Sequence, residues 1–121
     1  MADRIRFMTH RGKQILLLDF THCQADEMRM LLAQVKDTVT SQPLDSVLAM
    51  ADFTGVDYFG KELAEDIKKT LVFDRPYVKR TAWVGADTVP TAYYDSFKSF
   101  SRRELPMFAT REEAMDWLVG E

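Results

Sequence analysis

Cysteine, histidine, glycine and proline are all sparse in this chain. A single cysteine, Cys23, among 121 residues excludes an internal disulfide framework and fits a reducing compartment. The two histidines, His10 and His22, stand at no metal-ligand spacing, so neither a metal nor another cofactor is expected. Five glycines and four prolines form no linker or low-complexity tract, and no repeat divides the chain, so one domain over residues 1–121 is expected. Long hydrophobic runs are missing too. The longest aliphatic run, Val47 to Ala51, is far too short for a transmembrane helix. Arg4 and Arg6 have no apolar segment behind them, so no secretory signal is read and a cytoplasmic location is expected. Neither charge sign dominates: 16 Lys and Arg against 19 Asp and Glu leave a net −3, which argues against a dedicated nucleic-acid binder.

What is present is the composition of an ordinary globular protein, 46% apolar and 29% charged. A chain of this length buries roughly two-thirds of its unfolded surface and needs no metal or disulfide staple. Arg4 to Thr9 alternates Ile5, Phe7 and Thr9 against Arg6 and Met8, the pattern of a half-buried strand. His10-Arg11-Gly12-Lys13 is a turn, and Gln14 to Phe20 carries the unbroken run Ile15-Leu16-Leu17-Leu18 of a strand covered on both faces. The two form an antiparallel hairpin.

The period then changes. Met28, Leu31, Leu32, Val35 and Val39 make the stripe of an amphipathic helix, with Thr21 and Gln24 as a candidate capping box and Pro43 beyond its end. Ser46 to Phe53 is a buried strand, parallel to the previous one across a right-handed crossover. After the loop Thr54-Gly55-Val56-Asp57, a second helix runs from about Phe59 to Phe73 on Leu63, Ala64, Ile67 and Leu71. Arg75-Pro76 breaks it, and Tyr77 to Gly85 is a fourth strand. Pro90 marks the first turn of a third helix with Tyr93, Phe97 and Phe100 on its inner face. Leu105 to Ala109 reads as a short edge strand. Thr110-x-x-Glu113 is a second capping box, opening a last helix with Ala114, Trp117 and Leu118 inward and Gly120 after its end. The order β-β-α-β-α-β-α-β-α predicts an α/β fold with a mixed, mostly parallel sheet and an N-terminal antiparallel hairpin.

Gly12 to Phe20, Asp52-Phe53-Thr54-Gly55-Val56, Pro76-Tyr77-Val78-Lys79 and Val84-Gly85 together resemble the SpoIIAA-like family, in its order. Leu105-Pro106-Met107-Phe108 and Glu113-Ala114-Met115-Asp116-Trp117-Leu118 extend the resemblance, which spans about Ile5 to Val119. It implies a STAS-like single domain, in the company of STAS and SEC14-type domains, and supplies architecture more than activity. The better understood relatives, bacterial anti-sigma factor antagonists, carry a phosphorylatable serine at the start of the helix after the third strand. Here that segment reads Gly60-Lys61-Glu62-Leu63 after Asp57-Tyr58-Phe59, so the hydroxyl is missing and that switch is not carried across.

In this topology Asp19, Thr21, Asp52 and Thr54 gather at one edge of the sheet, and Gly85, Ala86, Asp87 and Thr88 join them. Open α/β sheets bind ligands outside the carboxyl ends of their strands. The candidate ligand or partner surface is therefore Asp19, Thr21, Asp52, Thr54, Gly55, Asp57, Gly85 and Asp87, with Tyr94 on the third helix. The competing reading is that these Asp and Thr residues cap helices and shape loops. Neighbouring Asp19 and Asp52 would perturb one another, yet no histidine partner, activated nucleophile or catalytic motif accompanies them, so no enzyme is expected.

Residues 68–103 hold eight Lys or Arg against three Asp, a local +5 suited to an acidic partner, a phosphate or a membrane surface. The plainer alternative is a solvated face balanced by the acidic C-terminal helix. Tyr94 at the rim of the aromatic third helix, with Met30 off its helix's buried stripe, raises a homodimer as one partner. The expected function is a non-enzymatic regulatory module contacting an unidentified protein through its strand-end loops, chiefly Thr54 to Lys61. The alternative is a binder of a lipid or other small apolar ligand held between the sheet and the third helix. An internal apolar pocket on the order of a few hundred Å³ separates the two readings.

Overall fold

Arg11 and Gly12 have φ of +52° and +80°, the paired left-handed conformation of a two-residue turn that matches strand twist. They join β1 (Ile5–His10) to β2 (Lys13–Asp19) as an antiparallel hairpin, with His10 opposite Lys13. These coordinates come from a computed structural model, which describes residues 3–57 and 60–120. Three further strands follow: β3 (Val47–Asp52), β4 (Val78–Val84) and β5 (Met107–Phe108). The sheet order is β1-β2-β3-β4-β5, with every pairing after the first parallel. The chain is thus the α/β fold with a mixed, mostly parallel sheet that its residue pattern predicts.

Helices α1 (Ala25–Thr40), α2 (Lys61–Phe73) and α3 (Thr91–Ser101) pack on one face, and α4 (Arg111–Val119) covers the other. Ile15, Leu16, Leu17 and Leu18 point alternately into the two cores, which is why β2 tolerates no polar residue there. The buried stripes of α1 and α2 are the predicted ones, Met28, Leu31, Leu32, Val35 and Val39, and Leu63, Ala64, Ile67 and Leu71. The expected start of the second helix at Phe59 lies outside the described residues.

Three expectations are corrected. Thr21 and Gln24 form no capping box: Gln24 itself is the N-cap, without a side-chain bond, because the Thr21 hydroxyl is held by Asp19. Phe100 is 59% exposed and lies under the Lys68 ammonium, because the short α3 turns Phe97 and Ser101 inward instead. Trp117 is half-buried at the rim, its ring against Phe108 and the Arg80 guanidinium over it at 5.5 Å. The last three strands lie one or two residues inside their expected bounds, while β1 is shifted one residue later and β2 one residue earlier.

Candidate functional site

The tripeptide Asp-Phe-Thr occurs twice, as Asp19-Phe20-Thr21 and Asp52-Phe53-Thr54, at the ends of adjacent strands where Asp19 pairs with Asp52. Pleating sends the two phenylalanines into the α1–α3 core, stacked at 5.4 Å, and the two carboxylates toward the α4 face. Each carboxylate accepts from the threonine two residues on. Asp19 Oδ1 takes the Thr21 hydroxyl (2.6 Å) and amide (3.1 Å), and Asp52 Oδ1 takes those of Thr54 (2.6 and 2.9 Å). The turns built this way prolong the ladder past the strands. Phe20 N–H donates to Asp52 O, His22 N–H to Thr54 O, Phe53 N–H to Val84 O and Gly85 N–H to Phe108 O.

Arg111, the first residue of α4, reaches both carboxylates. Its Nε donates to Asp52 Oδ2 at 2.6 Å, and an Nη lies 3.4 Å from Asp19 Oδ1. Arg4 flanks Asp19 from the other side at 3.8 Å and bonds the Asp19 and Thr21 carbonyls. Burial works to raise the Asp19 pKa, but the Thr21 hydroxyl and amide, with Arg111 and Arg4, outweigh it and hold it below the ordinary value. Arg4 also meets Glu27 at 3.5 Å, so three carboxylates share two guanidinium groups, and Asp19, held in this way, is a poor proton acceptor. Arg111 and Arg4 were not among the residues singled out from sequence. One signal pointed to Arg111: a cation in the first turn of a helix opposes the macrodipole, so its charge is used elsewhere.

The remaining candidates divide by exposure. Thr54, Gly55, Asp57 and Asp87 are exposed around the strand ends, Thr21 is half-exposed, and Asp52 is buried. Gly55 packs beneath the His22 ring, and a Cβ at Gly85 would fall 3.0 Å from the Thr54 backbone, so these glycines let successive loops touch. Tyr94 is apart from this cluster; its hydroxyl donates to Leu105 O at 2.7 Å and its ring lies 5.9 Å from Trp83. The space between α3 and the sheet is filled by Phe53, Trp83, Tyr94 and Phe97, with ring centroids 4.8 to 5.9 Å apart along the Trp83 contacts. Cys23 is buried, and that burial pushes its thiol up to about 11, so it is unreactive. Among the described residues no group of His, Cys, Asp and Glu is placed to hold a metal ion, and no helix is long and apolar enough to cross a membrane.

No protein-family model matches the chain, and comparison with curated proteins and with solved structures finds no significant match to either.

Proposed function

We propose that the chain is a non-enzymatic, STAS-like regulatory module resembling the SpoIIAA-like family, which recognises a protein partner through its strand-end loops. The observation that carries this reading is the aromatic packing of Phe53, Trp83, Tyr94 and Phe97, which occupies the place an apolar ligand would need. The ion-paired and hydrogen-bonded Asp19–Arg111–Asp52 network favours a scaffold over acid–base chemistry. Around that scaffold the exposed His22, Thr54, Gly55, Asp57 and Asp87 form a polar rim on rigid turns, the kind of loop surface that carries recognition. Gly60 caps α2 and Lys61 and Glu62 follow it, so partner choice here would rest on fixed charge and shape, without a phosphorylatable hydroxyl at these positions.

The test is affinity capture from source-cell lysate with the wild type and with Asp57→Ala and Asp87→Ala, both exposed positions. A partner held by the wild type and lost from the variants, whose unfolding transitions match the wild type, is the expected result. Undiminished capture by both variants overturns the assignment of this surface. A discrete adduct in native mass spectrometry, released on denaturation, overturns the choice against an apolar ligand.

A further inference from the structure

A depression of about 590 Å³ opens at the amino end of β4, on the side of the sheet away from the strand-end loops. Arg75, Lys79, Arg80, Arg102 and Arg103 line it, with Glu104 as the acidic lining residue. These cations come from four places in the chain: the end of α2, β4, the end of α3 and the segment after it. Arg75 and Arg102 sit just beyond helix C-termini, where a positive charge complements the macrodipole. That accounts for each separately, but not for Lys79 or for their convergence.

The pairing pattern is uneven. Arg103 lies at the floor, 10% exposed, bonding Asp74 at 2.9 Å and the Thr81 hydroxyl at 2.9 Å. Its Nε is buried with no acceptor among the described residues. Arg80 uses Nη1 on the Trp117 and Gly120 carbonyls and stacks on the Trp117 ring. Arg75, Lys79 and Arg102 are exposed and form no ion pair among the described residues, and Arg75 adds repulsion to Arg103. Five cations converge here against Asp74, which pairs with Arg103, and Glu104, and like charges in excess of their counter-charges cost free energy unless an anion joins them.

We propose that this groove binds a compact polyanion carrying two or more phosphoryl groups. Guanidinium forks match phosphate oxygens in bidentate fashion, and several can meet one tetrahedral group from different sides. The volume is that of a small-molecule site. A chain with net charge −3 repels extended polyanions, while a groove with local positive charge admits a compact one. This site is separate from the strand-end surface, so either proposal stands or falls without the other.

Inorganic pyrophosphate is the probe, titrated into the full chain at low ionic strength and followed by calorimetry and amide NMR. The expected result is saturable one-to-one binding, with shifts centred on Lys79, Arg80, Arg103 and Trp117. The exposed pair Lys79→Gln with Arg102→Gln should weaken it by at least about tenfold without changing thermal unfolding. Lys36→Gln with Lys69→Gln removes equal charge from a different depression, between α1 and α2, and should leave binding unchanged. Absence of saturable binding overturns the proposal, as does equal weakening by both double variants, which marks general electrostatic attraction. A hexaglutamate peptide that binds more tightly than pyrophosphate also overturns it, in favour of an acidic protein partner.

Discussion

Arg111 joins the two halves of the site: Asp52 belongs to the centre of the sheet, Asp19 to its neighbour, and the guanidinium to a helix that arrives 59 residues after Asp52. The Asp52 side chain is only 5% exposed, so removing its cation leaves a desolvated carboxylate with Thr54 as its remaining donor. Breaking a buried pair in this way costs roughly 3–5 kcal/mol, and the solvent that reaches Arg111 reduces this. Arg111→Gln should therefore destabilise the chain by about 2 kcal/mol in urea unfolding, with an unchanged m value. Arg111→Lys should recover only part, because an ammonium lacks the fork that spans both carboxylates. A loss below about 0.5 kcal/mol in Arg111→Gln would mean that the threonines alone hold Asp52.

Among the elements, α4 stands alone on its face and has only nine residues, so its ends matter more than those of α1. Thr110 Oγ1 accepts the Glu113 amide at 3.2 Å, the N-cap half of the expected capping box, and donates to Glu113 Oε1 at 3.1 Å, so the carboxylate meets the hydroxyl rather than the Thr110 amide. At the far end Lys13 and Arg80 donate to carbonyls of Val119, Trp117 and Gly120, and His10 meets Asp116 at 2.8 Å. Thr110→Ala should cost about 1 kcal/mol. Gln24→Ala, at a cap with no side-chain bond, should stay within about 0.5 kcal/mol. Urea denaturation of both variants checks the contrast. The same Thr-x-x-Glu/Gln spelling thus has two outcomes. At Thr110 the hydroxyl accepts the Glu113 amide while donating to that residue's own carboxylate; at Thr21 the hydroxyl and amide both go to Asp19 and the helix opens only after Gln24, a strand-end turn that local spacing does not show. Periodicity made the buried stripes of α1 and α2 legible because it encodes burial directly. The exposure of Phe100 was not legible, because α3 ends at Ser101 and turns Phe97 and Ser101 inward instead.

At the scale of the whole molecule, the strand-end cluster could be placed from topology, since parallel order alone brings Asp19 and Asp52 together. The basic groove could not, because Arg75, Lys79 and Arg102 converge only once three connections are folded. The two sites also pull on stability with opposite sign as pH changes. Asp19 is held below the ordinary value, so its contribution is full above about pH 4 and is lost as pH falls through its folded pKa. Asp74, the buried partner of the groove's Arg103, is pushed by burial up to about 7, with Arg103 opposing the rise. A carboxyl raised on folding binds its proton more tightly in the native state. Its stabilising contribution is therefore present below about pH 4 and lost progressively as pH climbs toward 7. Stability should accordingly peak near pH 4 to 5, and the decline above that should flatten in Asp74→Asn, which mimics the protonated group and keeps an acceptor for Arg103. Urea midpoints measured from pH 3 to pH 8 on both proteins decide it. A wild-type maximum at pH 7 or above, with a large loss in Asp74→Asn, would mean that the Arg103 guanidinium overcomes burial and keeps Asp74 ionised, and the groove would then carry one positive charge fewer.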